Sequence, residues 1–156
     1  MTQSSFVTNS IAINGPATAV WNVLVSPEKT KQYMFGCEAI SDWNPGSELL
    51  WKGQADGKEV TFVRGYVICV EPEKHLEYTT FDPNDTSIQD IPENYLQVTY
   101  DLKEENGQTV LTASQGDFSK VAKGGERYQE VYNGGVGWTP MLQKIKELVE
   151  SGTVHK

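Results

Sequence analysis

Residues 125–151, GERYQEVYNGGVGWTPMLQKIKELVES, set the strongest constraint on what this chain can become. At about 100° per residue they read as one amphipathic helix. Val131, Gly134, Gly135, Trp138, Met141, Leu142, Ile145, Leu148 and Val149 share one face. Gln129, Gln143, Lys144, Glu147 and Glu150 lie opposite or along the flank. Gly134 and Gly135, both on the inward face, carry no side chain, and Gly137 stands beside them. An interior glycine costs a helix about 1 kcal/mol against alanine, so this clustering needs a reason. Either another backbone comes close there, or the space is left open for something that is not protein. Pro140 adds a second pair of readings. It kinks the helix on its solvent side, or Thr139-Pro140 restarts the helix as N-cap and first residue, with the glycines as a break.

Upstream, residues 6–13 place Val7, Ile11 and Ile13 at odd positions, the mark of an edge strand. Asn14-Gly15-Pro16 ends it and opens a helix in which Ala17, Val20, Trp21 and Leu24 share one face. Ser26-Pro27-Glu28 starts a second short helix that stops at Gly36. From there the chain reads as strands at 37–41, 48–53, 59–70, 75–81, 94–103 and 109–116. Asp56-Gly57 and Asn106-Gly107 are tight-hairpin signals. Strand 94–103 alternates cleanly, Leu96, Val98, Tyr100 and Leu102 against Tyr95, Gln97, Thr99 and Asp101. Strand 59–70 is apolar on both faces, and its inward side is not legible. A sheet with one wet side needs its apolar face covered, and only the C-terminal helix is long enough to cover it. The expected fold is α+β, a curved antiparallel sheet of six or seven strands around that helix, in one domain spanning residues 1–156.

The chain carries 13 basic and 21 acidic side chains, a formal charge of −8, with the basic residues scattered. That excludes a phosphate-tracking stripe and argues against nucleic acid as a partner. No stretch is long and apolar enough for a membrane span, so integral membrane association is not expected. No signal peptide is visible at the start, which makes the cytoplasm the expected location and Cys37 and Cys69 reduced thiols. The two histidines, His75 and His155, form no spacing motif with other ligand types, so neither a metal nor a cofactor is expected. His75 reads as a surface residue at a strand start. No GxSxG elbow or Cys-His pair marks a nucleophile, and no catalytic residue is assigned.

Several local motifs resemble the Hsp90-ATPase-activator-homologue (AHSA1-like) branch of the START-like, or SRPBCC, superfamily with its helix-grip fold. They are Pro16…Val20-Trp21…Leu24, Ser26-Pro27-Glu28, Pro45-Gly46-Ser47, Gly65-Tyr66-Val67 with Glu71-Pro72 and His75-Leu76, and Gly137-Trp138…Met141-Leu142…Leu148. The likeness covers nearly the whole chain. It implies an apolar cavity between sheet and long helix. Relatives bind lipids, sterols, aromatic polyketides or plant hormones, some are cyclases, and the eponymous members bind a chaperone. The resemblance fixes an architecture and leaves the chemistry open.

The side chains expected to wall such a cavity are Phe62, Tyr66, Tyr78, Phe81, Leu96, Val98, Tyr100, Trp138, Met141 and Leu142, around the space at Gly134 and Gly135. An apolar pocket with a few hydrogen-bonding tips suits a lipid-like or polyketide-like ligand held without turnover. Two other readings stand beside it: a chaperone-associated protein-interaction module, and a cyclase-like enzyme drawing on Tyr66, Tyr100, Arg64 and Glu126. Arg64 either faces inward and needs a ligand carboxylate or protein partner, or faces out and is solvated. Trp43 and Trp51, flanking Asn44-Pro45-Gly46, either gate the cavity mouth, contact a protein, or cover the end of the core.

Overall fold

Seven strands form where alternation and turn chemistry place them, and they join into one antiparallel sheet. The computed structural model describes residues 6–34 and 36–154, so the sequence reading of His155 lies outside the described residues. The strands are β1 (Val7–Asn14), β2 (Glu38–Ile40), β3 (Glu48–Ala55), β4 (Lys58–Glu71), β5 (His75–Thr80), β6 (Leu96–Glu105) and β7 (Gln108–Gly116). Their order across the sheet is β1-β7-β6-β5-β4-β3-β2. Helices α1 (Ala17–Val25) and α2 (Pro27–Tyr33) follow β1, and α3 (Gly124–Tyr132) and α4 (Thr139–Val154) follow β7. This is the helix-grip arrangement, a curved sheet closed over the C-terminal helix. No helix among the described residues is long and apolar enough to cross a membrane.

Both hairpin signals act as read. Asp56 and Gly57, and Asn106 and Gly107, all take positive φ, so each pair closes a two-residue turn whose twist matches its strands. Glutamates from distant elements satisfy backbone donors around the first helix. Glu104 Oε1 on β6 accepts from the Ala17 N–H at 2.7 Å, filling the anion-favouring N-terminus of α1. Glu150 Oε2 on α4 accepts from the Asn14 N–H at 2.9 Å. Val20, Val23 and Leu24 of α1 and Leu142, Ile145 and Val149 of α4 are buried in the shared core, while Trp21 is only half-buried.

The C-terminal segment corrects the single-helix reading. Asn133, Gly134, Gly135 and Gly137 all have positive φ (45°, 66°, 102° and 52°), which no helix interior tolerates. The helix therefore ends at Tyr132, passes through one 3-10 turn at Asn133–Gly135, and restarts at Thr139. The restart reading of Thr139-Pro140 describes the chain better than the kink. Pro140 sits in the first turn of α4, where its missing N–H is not needed. Gly134 and Gly135 are exposed and have no role as inward-facing hollow positions. A Cβ at Gly134 would meet nothing within 4 Å, and one at Gly135 only the Tyr132 hydroxyl at 3.9 Å. The close approach falls instead at Gly137, where a Cβ would lie 2.3 Å from Asn9 Oδ1 and 2.9 Å from Val7 Cγ1 on β1.

Candidate functional site

A cavity of about 400 Å³ opens on the inner side of the sheet, near the entry to α4. Its walls come from eight places: Met34 after α2, Cys37, Trp51 on β3, Phe62 and Val63 on β4, Tyr78 and Thr80 on β5, Val98 on β6, Gln115 on β7, and Trp138 just before α4. Trp51, Tyr78, Val98 and Trp138 are buried and form the floor, and the half-buried Met34, Cys37, Phe62, Val63, Thr80 and Gln115 form the rim.

A β-bulge builds one wall. Trp51 pairs with Val63 and the next residue, Lys52, with Thr61, so Phe62 is an extra residue in β4. A bulge lets two consecutive side chains serve one face, and here both Phe62 and Val63 line the cavity. This explains why strand 59–70 looked apolar on both sides. A second bulge, between Val67 and Cys69, turns Ile68 out to solvent. Gly53 makes room for the first bulge, since a Cβ there would come within 3.0 Å of the Phe62 ring.

Aromatic rings run in a chain through the floor, with Tyr100 behind it. Trp51 meets Tyr78 at 6.0 Å between centroids, Tyr78 meets Tyr100 edge-on at 5.6 Å, and Tyr100 meets Trp138 edge-on at 5.8 Å. Such tilted contacts favour each ring's quadrupole and fix the floor's shape. The Tyr78 and Tyr100 hydroxyls bond to each other at 2.8 Å, and Tyr33 Oη donates to the Leu24 carbonyl at 2.9 Å. Burial holds all three phenols well above the usual tyrosine range, so they stay neutral. Burial also raises the Cys37 thiol, which disfavours the nucleophilic thiolate.

Polar groups at the cavity are few and specific. Trp138 Nε1 donates to Gln115 Oε1 at 3.0 Å, and Thr80 Oγ1 donates to the Leu96 carbonyl at 3.4 Å. No carboxylate, histidine, lysine or arginine stands among the described lining residues. The cavity is built to hold an apolar body and offers no charged anchor among its described lining.

Of the residues expected here, Phe62, Tyr78, Val98 and Trp138 line the cavity. Leu96, Tyr100 and Leu142 are buried core, with Tyr100 backing the floor rather than facing the space. Met141 is half-buried against the core and does not reach the cavity. Phe81 is buried and stacks on Tyr95 at 4.9 Å. Tyr66 is 47% exposed, on the outer face, and stacks on the other side of that cluster. Sequence reasoning missed Met34, Cys37, Val63, Thr80 and Gln115. Trp51, read as a mouth or core cover, is part of the floor.

Arg64 faces out. Its guanidinium pairs with Asp90, and Tyr95 Oη donates to the other Asp90 oxygen at 2.6 Å. Tyr66, Arg64 and the exposed Glu126 are not brought to the buried Tyr100, so the acid–base group considered for a cyclase does not assemble.

Sheet pairing assembles one ligand-type cluster that no sequence spacing reveals. Cys69, His75 and Glu77 place their donor atoms within 4.8 Å of one another on the outer face. Both His75 nitrogens are already engaged, Nδ1 with Asp101 Oδ1 and Nε2 with Glu77 Oε2, each at 2.5 Å. The Glu77 hydrogen bond, then the Asp101 one, raise the His75 pKa, which describes an ion-pair network.

The sequence model of the family described as Activator of Hsp90 ATPase homolog 1-like protein matches residues 14–150. The solution structure of ChR145 from Cytophaga hutchinsonii aligns with a TM-score of 0.75 at 30% identity, covering 99% of each chain. DynU16, a protein of the dynemicin biosynthetic locus, aligns with a TM-score of 0.69 at 18% identity, over 96% of this chain and 49% of that one, a likeness of fold. A flavohemoprotein of Halalkalibacterium halodurans is 29% identical over 119 residues, 74% of this chain. The chain spans only 28% of the length of that relative.

Proposed function

This chain belongs to the Activator of Hsp90 ATPase homolog 1-like family, and we propose that it binds a hydrophobic or aromatic small molecule on the inner side of its sheet without catalysing a reaction on it. One observation carries this reading: a cavity of about 400 Å³ walled by Trp51, Phe62, Tyr78 and Trp138 with no carboxylate, histidine, lysine or arginine among its described lining. The volume falls within the range of roughly 300–1,000 Å³ common to small-molecule pockets. An apolar lining of that extent stays in contact with water unless a ligand covers it. The likeness to a protein of a natural-product biosynthetic locus supports an aromatic, polyketide-like occupant.

Two tryptophans in the floor make the test direct. Titration of the purified protein with flavones, fatty acids and sterols is expected to quench or shift Trp51 and Trp138 emission saturably for the flat aromatic class. Absence of a saturable change with every class, confirmed by unchanged amide and indole NMR shifts, would refute the binding reading. Turnover of any bound compound would refute the non-catalytic part alone.

A further inference from the structure

The one hydrogen-bonding side chain on β7 that reaches the cavity has half its capacity committed. Trp138 Nε1 is a donor only, so the Gln115 oxygen must face it, and the 3.0 Å bond fixes which way round the amide sits. The Gln115 NH2 therefore points away from the indole, and it has no hydrogen-bond partner among the described residues. Gln115 lines the cavity and sits between Val7 of β1 and Val98 of β6 in the sheet, two apolar neighbours that give its amide nothing to bond.

Thr80, another polar lining residue, spends its hydroxyl proton on the Leu96 carbonyl, and the Tyr78 hydroxyl is bonded to that of Tyr100 in the buried core. The cavity thus presents the Gln115 NH2 as a side-chain amide donor not engaged with any described residue, and no cation among its described lining to meet an anion. The net formal charge of −8 further disfavours an anionic guest.

Resting on the binding reading above, we propose that the ligand is an uncharged, flat aromatic compound bearing a carbonyl or ether oxygen, and that Gln115 Nε2 donates to that oxygen. The rings of Trp51, Phe62, Tyr78 and Trp138 take the planar body, and the amide sets its orientation. A ligand lacking the oxygen would cover the NH2 and strip it of water without replacing the bond, so it binds more weakly. Fatty-acid carboxylates are disfavoured on the same ground, because nothing in the described lining neutralises the charge.

The test compares 9-fluorenone with fluorene, two tricyclic compounds of nearly equal size that differ in the oxygen. In the wild type, fluorenone should bind about tenfold more tightly, with a shift of the Gln115 side-chain amide 15N–1H signals seen for fluorenone and not for fluorene. Gln115→Met removes the donor at similar volume, and Gln115→Glu removes it while keeping an acceptor for the Trp138 indole. Both variants, shown to be folded by their NMR spectra, should bind the pair with nearly equal affinity. Equal wild-type affinity for the two compounds, or an unchanged preference in both variants, overturns this inference and leaves the binding reading standing. Binding of neither compound, nor of any class in the wider panel, overturns both.

Discussion

Trp138 and Asn9 are joined by a hydrogen bond that decides where the last helix begins: the Trp138 backbone N–H donates to Asn9 Oδ1 at 2.9 Å. An asparagine on the edge strand β1 thus satisfies a donor at the N-terminal end of α4, in the way an N-cap side chain does from within its own helix. The same side chain presses on Gly137, and one residue later the Trp138 indole enters the cavity floor. The position of the floor therefore depends on a contact made from another element.

Substitutions around this junction should rank in a definite order. Asn9→Ala removes the cap and should cost about 1 kcal/mol. Gly134→Ala, at φ 66° in open space, carries the left-handed penalty alone, about 1–2 kcal/mol. Gly137→Ala suffers that penalty and drives a Cβ into the Asn9 side chain at 2.3 Å, so it should be the most destabilising of the three. Urea denaturation of the three variants checks the order. Gly134→Ala equal to or worse than Gly137→Ala would show that the close approach does not govern this break.

Filling the cavity should separate binding from stability. Val98 is buried and faces the void, so Val98→Phe places a ring in space that is already empty. Overpacking a dense core costs about 1–3 kcal/mol, but a void of this size relieves that strain. The expected result is a loss of ligand affinity of at least about tenfold, with a melting temperature close to that of the wild type. Calorimetric titration and a thermal melt on the same preparation measure both.

The outer face of the sheet makes its own prediction about pH. His75 sits between Glu77 and Asp101, and both raise its pKa above the ordinary histidine value, the Glu77 hydrogen bond most. The folded state thus holds the proton more tightly than the unfolded chain. The resulting stability is fully present below the unfolded value near 6.5 and is lost as pH rises through the higher folded value. Glu77→Gln should lower the folded pKa, read by NMR titration of the His75 ring, and should flatten the pH dependence of stability over that window. A ring that titrates at the same pH in the variant would assign the shift elsewhere.

Much of the fold was legible because its signals are local. Asp56-Gly57 and Asn106-Gly107 specify their turns by the positive φ that only such residues accept readily. Leu96, Val98, Tyr100 and Leu102 alternate because one side of β6 is wet. The site was less legible, for two physical reasons. A bulge such as that at Phe62 breaks the two-residue period without changing composition, so Val63 looked as if it belonged to the other face. Gly134 and Gly135 match a helical wheel perfectly well, and only their backbone angles reveal a break. Gln115 was invisible for a further reason: one polar residue in a strand reads as solvent-facing until the Trp138 indole is seen across from it.

The buried phenols offer the sharpest energetic test. Tyr78 and Tyr100 share one hydrogen bond at 2.8 Å, and burial keeps both neutral. Tyr100→Phe leaves the Tyr78 hydroxyl without that partner in a fully buried place, which should cost about 1–3 kcal/mol. Tyr78→Phe removes the other half of the bond and should cost a similar amount for the same reason. The double variant removes both hydroxyls together and leaves nothing unsatisfied between them, so its cost should fall short of the sum of the single ones. A double-mutant cycle from denaturant unfolding measures that coupling directly. Strict additivity would mean that each hydroxyl finds its main partner elsewhere, such as Tyr33, whose ring also bears on Tyr100. Because Tyr78 lines the cavity and Tyr100 does not, only the Tyr78→Phe change should alter ligand affinity. The pair thereby separates the polarity of the floor from the rigidity of what lies beneath it.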